Sequence, residues 1–336
     1  MEKKMITIYD IAKKLGYAPA TVSRALNNKK DISEKTRERI QQAAKEMNYF
    51  PNSQAVALST NKTWNIGVLS VDKQYSGFTH YMFSHVLESI RAEAEANGYD
   101  LTFIGENVGG LDTTYLKHAK YRNCDGLIIV CIDFEQPMVK ELVESDIPVV
   151  TIDHVFENCS SVESDNIDGM RKLVYYLKSQ GHRNITYFKG EDCRVTQKRV
   201  KSFLESVEYF DDGGKHEILD AVYNSRTYMY TRIKTYLHNV DEIPSAIIFP
   251  DDYSAIGGME GIRDCGYKIP DDIACVGFDG VELGEMITPT LTTMQQRVHK
   301  MGTLAVQELV KHIENKDEPI KRIQVPVKLI ERNSSK

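Results

Sequence analysis

The 336-residue sequence lacks the long apolar runs and the paired cysteines that mark membrane proteins and disulfide-rich secreted proteins. No segment approaches the roughly 18 apolar residues that a membrane-spanning helix needs. The N-terminal MEKKMITIYDIAKKLGY has no apolar core for a signal peptide. The six cysteines are scattered, with no CxxC pair and no clustered histidines, so we expect free thiols and no metal site. These absences predict a cytoplasmic protein with no membrane partner.

Catalytic and cofactor motifs are also missing. The sequence contains no GxSxG, HExxH, P-loop or GxGxxG pattern, each of which carries a specific chemistry. His182, in the segment GHRN, is a conceivable general base, but a packing or loop-fixing role explains it better. We therefore expect a protein that is not an enzyme and that has no cofactor.

What the chain does contain is an uneven distribution of charge. Residues 1–62 hold 12 Lys or Arg against 6 Asp or Glu, a formal charge of +6, whereas the whole chain carries −6 and the remainder therefore −12. A basic head on an acidic body suggests a nucleic-acid-binding module attached to a part that does not bind nucleic acid. A solvated basic surface would give the same count. The length permits two or three domains.

The basic head has the pattern of a helix-turn-helix. Between the capping residue Thr7, with Asp10 three positions later, and Gly16, four apolar residues recur at helical spacing: Ile8, Ile11, Ala12 and Leu15. Pro19 suits the first position of a second helix, in which Val22 turns inward together with Ala25 or Leu26. The outward positions of that helix are Ala20, Thr21, Ser23, Arg24 and Asn27.

A third helix is expected because two such short helices cannot bury a core alone. The segment 33–48 supplies it, with Ser33 as its cap. Its inner face is Ile40, Ala43, Ala44 and Met47.

From Trp64 onward, short apolar runs alternate with amphipathic helical stretches. Predicted strands are 66–71, 101–104, 127–132, 149–152, 185–188, 246–249 and 273–277. Predicted helices are 81–97, 136–145, 168–180, 194–207, 226–238 and 254–265. This alternation favours parallel α/β layers, and the number of strands favours two similar subdomains with a ligand cleft between them.

The connector 51–60 (PNSQAVALST) is too apolar for a free linker and too short for a stable isolated helix. A plain linker is one interpretation. The other is a brief helix that forms only when it docks on DNA or on a partner, which would couple the two modules.

A series of motifs resembles the LacI/GalR family of bacterial transcription regulators over essentially the full length. In the head these motifs are TIYDIAKKLG, ATVSRALN, SEKTRERI and NYFPN. In the body they are CDGLII, IPVVTID, Asp165-Asn166 with Gly169, GHRNI, Arg199 with Phe203, GFD at 277–279, PTLTT at 289–293 and ERNSS at 331–335.

The resemblance implies an α/β protein with a small all-α helix-turn-helix head and a periplasmic-binding-protein-like body of two subdomains. Its expected divisions are a head at 1–50, a hinge helix and linker at 51–62, and an effector-binding and dimerisation domain at 63–336. Within that domain, residues 63–157 with 290–318 are expected to form one subdomain, and 158–289 with 319–336 the other.

The resemblance also implies a homodimer whose second head helix enters the DNA major groove. Arg24 matches the family's base-reading arginine, and a guanidinium can contact guanine O6 and N7 together. Leu58 matches the hinge leucine that wedges into the minor groove, whereas Val56 stands where many relatives carry Arg or Gln. The DNA-contacting set implied in this way is Thr7, Tyr9, Pro19, Ala20, Thr21, Ser23, Arg24, Asn27, Asn52, Ala55 and Leu58.

For the body, the resemblance implies an effector pocket in which carboxylates and an arginine hold paired sugar hydroxyls. Asp251 stands where several sugar-binding relatives have Asn, and Asp279 has a strand-end cap as its alternative role. The aromatic side chains of the first ligand loop, residues 75–83, could stack on a sugar or belong to the core. The implied set is Phe78, Tyr81, Phe83, Asp153, Arg199, Asp251, Asp279 and Gln296.

Together these observations predict a ligand-responsive, sequence-specific DNA-binding repressor of carbohydrate-use genes. Its expected partners are an operator duplex, a small sugar-like effector and a second copy of the chain. Segments 81–91 and 301–313 are expected at the dimer contact. A dimer is expected and not a tetramer, because the sequence shows no leucine-heptad extension. The alternatives are a global regulator that uses a phosphoprotein corepressor and, in a different class, a sugar-binding protein without DNA function.

Overall fold

The computed structural model describes residues 6–29, 31–50, 62–71 and 81–336. The chain divides between Trp64 and Asn65 into two compact units, a head and a body. Most of the predicted hinge lies outside the described residues, including Asn52, Ala55, Val56 and Leu58, and so does Phe78.

The head contains the three predicted helices, α1 (Ile8–Leu15), α2 (Pro19–Leu26) and α3 (Glu34–Glu46). At the start of α1, the Thr7 backbone N–H donates to the Asp10 carboxylate at 2.8 Å, as a capping box requires. Gly16 ends α1 with φ +74°, a conformation that glycine adopts without steric cost. The turn chemistry read from the sequence is therefore confirmed.

The head core consists of small and branched apolar side chains from all three helices. Ile11, Val22, Ala25 and Ile40 are fully buried, and Met47 packs against them. Burial of one such aliphatic side chain contributes about 1.5–3 kcal/mol. Because Val22 and Ala25 occupy the inner face of α2, the opposite face of this helix is directed away from the core.

The body alternates strands and helices. Its strands are β1 (Asn65–Val71), β2 (Asp100–Ile104), β3 (Asn107–Val108), β4 (Leu111–Asp112), β5 (Gly126–Ile132), β6 (Val149–Ile152), β7 (Ser160–Ser164), β8 (Ile185–Lys189), β9 (His216–Asp220), β10 (Ala246–Ile248), β11 (Ala274–Asp279), β12 (Thr292–Gln295), β13 (Arg322–Val325) and β14 (Lys328–Ile330). Its helices are α4 (Tyr81–Ala96), α5 (Tyr115–Tyr121), α6 (Pro137–Val143), α7 (Asn166–Ser179), α8 (Arg194–Phe210), α9 (Arg226–Asn239), α10 (Asp252–Asp264), α11 (Leu283–Met286) and α12 (Val298–Glu314).

Two six-stranded sheets organise the body. The first has the order β13-β7-β6-β5-β1-β2 and is parallel throughout. The second has the order β14-β12-β11-β10-β8-β9, in which β14 alone runs antiparallel to its neighbour. Each sheet has helices packed on both faces, which explains why their strands read as near-continuous apolar runs.

The alternation of side chains along a strand gives each sheet two apolar layers. In β1, Val68 packs with α4 and α12, whereas its neighbour Leu69 packs with α5 and α6. In β10, Ile248 packs with α7 and α8, and Ile247 with α9 and α10. Two subdomains with separate cores are therefore present.

The predicted boundaries between the subdomains were wrong by one strand at each of the three points where the chain passes from one subdomain to the other. Strands β7 and β13 belong to the first sheet, although residues 158–164 and 319–325 were assigned to the second subdomain. Strand β12 belongs to the second sheet, although 290–295 was assigned to the first. Residues 160–164 (SSVES) are polar yet fully buried in the sheet, so their hydropathy gave no indication of a strand.

Candidate functional site

The outward face of α2 presents the residues that the sequence predicted for DNA contact. Ala20 and Arg24 are exposed on α2, and Thr7 and Tyr9 are exposed at the start of α1. The other predicted head residues are half-buried: Pro19, Thr21, Ser23 and Asn27. A short helix with its inner face buried and its outer face polar fits the geometry of a major-groove reader.

Arg24 pairs with a carboxylate in the structure. Its guanidinium contacts Asp31, and both side chains are about half exposed. An exposed pair of this kind contributes roughly 0–1 kcal/mol. The pair with Asp31 therefore holds Arg24 only weakly.

A cavity of about 680 Å³ opens where the carboxyl ends of strands from both sheets converge. Ligands of parallel α/β folds bind at such strand ends. The first sheet contributes the segments 130–135 and 152–155, which follow β5 and β6. The second sheet contributes 191–195 with Gln197 and Arg199, then Tyr223, Asn224 and Asp279, and Gln296 follows β12.

At the inner end of the cavity, Gln296 pairs with Asp279. The Gln296 Nε2 donates to the Asp279 carboxylate at 2.6 Å. The Gln296 side chain is only 6% exposed, yet its Oε1 has no hydrogen-bond partner within the described residues. A buried acceptor without a donor is costly, so this atom favours a ligand that brings a hydroxyl or amine hydrogen.

Arg199 is held rigidly beside this pair. Its Nε donates to the Asn166 side chain at 2.8 Å, and a terminal nitrogen donates to the Pro250 carbonyl at 2.9 Å. The guanidinium carbon lies 3.5 Å from the centre of the Phe278 ring. These contacts fix the guanidinium plane before any ligand arrives.

Burial perturbs the carboxylates of the cavity. It raises the pKa of Asp153 to about 6. Burial, with a further contribution from the nearby Asp251 carboxylate, raises the pKa of Asp279 to about 7. Such perturbed groups in a cleft are typical of ligand sites.

Both parts of the chain match known families. Residues 7–52 match bacterial regulatory proteins of the lacI family, and residues 174–335 match a periplasmic binding protein-like domain. The ribose operon repressor of Halalkalibacterium halodurans is 31% identical, with 99% of this chain and 98% of that protein covered. The chain belongs to the lacI family of bacterial regulatory proteins.

Other members of the lacI family show the same full-length correspondence. The HTH-type transcriptional repressor PurR of Vibrio cholerae is 27% identical over 99% of this chain and 98% of its own length. The crystal structure of the lac repressor dimer, bound to operator and the anti-inducer ONPF, superposes with a TM-score of 0.81 at 23% identity, covering 99% of both chains. The fold predicted from the sequence is confirmed.

Of the effector residues that the lacI resemblance implied, four line the cavity: Asp153, Arg199, Asp279 and Gln296. Tyr81 begins α4 half-buried, with its ring 4.2 Å from the His85 ring, and it is not among the lining residues. The roles of Asp153, Arg199, Asp279 and Gln296 as ligand contacts remain predictions, as does that of Tyr81.

Two residues of the implied set, Phe83 and Asp251, do not line the cavity. Phe83 is 3% exposed and packs in the core of the first subdomain, so it cannot stack on a ligand. Asp251 is 1% exposed and caps α10, accepting from the Ser254 backbone at 2.8 Å. Its second oxygen accepts from the Asn224 backbone at 2.8 Å. Asp251 therefore holds the backbone of Asn224, which lines the cavity.

Several lining residues were not predicted from the sequence. Tyr223 packs its ring so closely on Gly190 that a Cβ there would lie 2.1 Å away, and its hydroxyl lies 2.7 Å from that of Thr196. Phe134 stacks on the His154 ring at 4.3 Å. All of these residues follow the ends of strands, which was the one available indication of their position.

Other structural features bear on the alternatives. In the part of the chain that the structure describes, no helix is both long and apolar enough to span a bilayer. Across the same residues, no cluster of His, Cys, Asp or Glu could hold a metal ion. His182 follows α7 and does not line the cavity.

Proposed function

We propose that this protein is a homodimeric repressor that reads its operator with α2 and whose operator affinity is set by a small sugar-like effector in the cavity. The observation that carries the proposal is the convergence of polar groups from both sheets on one cavity. Asp153 follows β6 of the first subdomain, whereas Arg199 lies on α8 and Asp279 at the end of β11, both in the second. A ligand that bridges them has a different affinity for each arrangement of the two subdomains, which is the requirement for coupling.

The lacI-family relationship supports the DNA-binding half of the proposal. The exposed face of α2 presents a guanidinium in Arg24 and hydroxyls in Thr21 and Ser23, the groups that read base edges and hold phosphates. Because a relative that is 31% identical is named a ribose operon repressor, ribose is the first effector to test. The lacI relatives are described as repressors, which supports a role without catalysis.

The proposal is tested with the full-length protein and an operator selected from random duplexes. Titration is expected to show specific binding, and saturating ribose or another active sugar is expected to change the operator dissociation constant. Light scattering is expected to give twice the chain mass of 38.2 kDa. Specific DNA binding that no small molecule alters would contradict effector control, and would favour a protein corepressor instead.

A further inference from the structure

The charges that line the cavity are strongly one-sided. Among the described lining residues, six carboxylates face two guanidinium groups, Arg194 and Arg199. The carboxylates are those of Asp133, Glu135, Asp153, Glu191, Asp192 and Asp279. His154, which also lines the cavity, has its pKa lowered first by burial and then by the Arg194 charge, so it adds no positive charge at neutral pH.

Both guanidinium groups are already engaged inside the protein. The Arg194 Nε lies 3.3 Å from the Glu163 carboxylate, which Lys198 also contacts at 2.7 Å. Arg199 donates to Asn166 and to Pro250, as described above. A phosphate or carboxylate on a ligand would compete with these contacts.

The charge of Arg199 is also shared among the protein's own carboxylates. It acts on Asp153, Asp251 and Asp279, and it lowers the pKa of each. The pKa of each group nevertheless stays above its ordinary value, because burial and neighbouring carboxylates outweigh the single guanidinium. The protein's own carboxyl groups thus already disfavour negative charge in this part of the cavity, and an added anion would meet the same penalty.

The hydrogen-bonding atoms at this end indicate the same ligand chemistry independently. The buried Gln296 Oε1 is an acceptor without a donor among the described residues, while Gln296 uses its Nε2 as a donor to Asp279. The carboxyl groups of Asp153 and Asp279 also offer acceptor oxygens to a ligand. The ligand group placed at these atoms must bring hydrogens, so a hydroxyl or an ammonium group fits there and a phosphate dianion does not.

We propose that the effector site rejects sugar phosphates and sugar acids, and takes a polyhydroxylated ligand that is uncharged or carries an amine. This inference rests on the proposed function and specifies the chemical class of its effector. The same physical argument predicts where an amine would bind, namely beside Asp153 and Asp279. An anionic group would meet like charge on both sides of the cavity.

The test uses the full-length protein and matched pairs of probes. Calorimetric titration compares ribose with ribose 5-phosphate, and glucose with glucose 6-phosphate and glucosamine. A bacterial small-molecule extract, separated by ion exchange into anionic, neutral and cationic fractions, covers ligands outside these pairs. Thermal melting and operator titration are measured with every fraction. We expect the active fraction to be neutral or cationic, and the phosphorylated member of any binding pair to be at least tenfold weaker.

Charge variants supply the control. Asp133→Asn removes negative charge from the cavity lining and should narrow the difference between the neutral and phosphorylated probes. Asp271→Asn removes the same charge from an exposed site outside the lining and should leave the difference unchanged.

Each outcome has a definite meaning. Activity confined to the anionic fraction and destroyed by phosphatase would overturn the inference while leaving effector control in place. If no fraction changes melting or operator binding, effector control itself fails, and this inference fails with it. Equal affinity for a sugar and its phosphate would also overturn the inference.

Discussion

At the scale of single residues, the eight residues of α2 divide into a buried face that packs in the head and an exposed face. Val22 and Ala25 are fully buried, while Arg24 between them is exposed and paired with Asp31. This arrangement follows from helical periodicity, which the sequence displays directly. The exposed position of Arg24 is therefore predictable, whereas its partner Asp31, seven residues away, is not.

Arg24→Ala should remove discrimination between operator and random DNA. A bidentate arginine contact to guanine contributes about 1–3 kcal/mol of discrimination, and no other exposed side chain of α2 replaces a guanidinium. Binding titrations of both duplexes measure the ratio of specific to non-specific affinity. An unchanged ratio would contradict the assignment of Arg24.

Asp31→Asn should have the opposite effect on affinity. The substitution removes the partner of Arg24 and, with it, a negative charge beside the proposed DNA-reading side chain. Because the pair is half exposed, we expect only a few-fold tightening, in line with roughly 0–1 kcal/mol for a surface pair. The same titrations check it, and weaker operator binding would show that Asp31 helps to position Arg24.

Asp279 should make the stability of the ligand-free protein fall as pH rises. Its pKa is raised from 3.8 to about 7 in the folded protein, so between about pH 4 and 7 the folded form retains a proton that the unfolded chain has released. Stability therefore decreases across that window. Asp153, whose pKa is raised to about 6, also lowers the stability as pH rises, over the lower part of this pH window.

Asp279→Asn should flatten this decline. The amide oxygen can still accept from Gln296, but the group no longer titrates. Urea midpoints measured from pH 4.5 to 7.5 test the prediction, with the exposed Asp271→Asn as the control. Parallel curves for wild type and Asp279→Asn would refute it.

The errors at the residue scale have physical causes. Phe83 was included in the implied set because it ends the first ligand loop, and the start of α4 at Tyr81 turns it toward the core, the other role left open for it. Asp251 lies three positions before Ser254, the spacing of a helix cap, and the structure uses it in that way. The lining residues that were missed are mostly loop residues, whose placement depends on which strand ends converge.

At the scale of elements, most strands and helices follow from sequence periodicity. Strand β5 and helix α4 agree with their predicted bounds to within one residue. Strand β7 was not predicted because its buried residues are serines, valine and glutamate. Glu163 is tolerated there because Lys198 of the other subdomain neutralises it, a contact that no local pattern reveals.

Helices α9 and α10 illustrate packing that depends on single glycines. A Cβ at Gly257 of α10 would lie 2.1 Å from the Arg226 carbonyl oxygen. Gly257→Ala should therefore force the helices apart, with an overpacking cost of about 1–3 kcal/mol. A lowered midpoint in chemical denaturation is the expected result.

Gly284→Ala is the matched control for this substitution. Its added Cβ would meet nothing nearer than 3.4 Å, and the change from glycine to alanine should favour the helix by up to about 1 kcal/mol. Equal destabilisation by both substitutions would show that close packing at Gly257 is not the cause.

At the scale of the whole molecule, the chain crosses three times between the subdomains of the body. Strands β7 and β13 pair within the first sheet, and β12 joins the second. Two similar subdomains were predictable from the number of strands, but the exact crossings were not, since pairing between distant segments leaves no local pattern. These crossings place Asp153 and Arg199, 46 positions apart in the chain, in one cavity.

The most direct test of the account is the operator dissociation constant of the full-length protein, measured by fluorescence anisotropy with and without a saturating effector. Coupling free energies between sites are typically 1–3 kcal/mol. The account therefore predicts that the effector changes this constant by about 5- to 150-fold. It also predicts that Gln296→Leu, which removes an inner contact of the cavity, abolishes the change and leaves ligand-free operator binding intact. An operator dissociation constant that stays the same when the effector occupies the cavity would contradict the account.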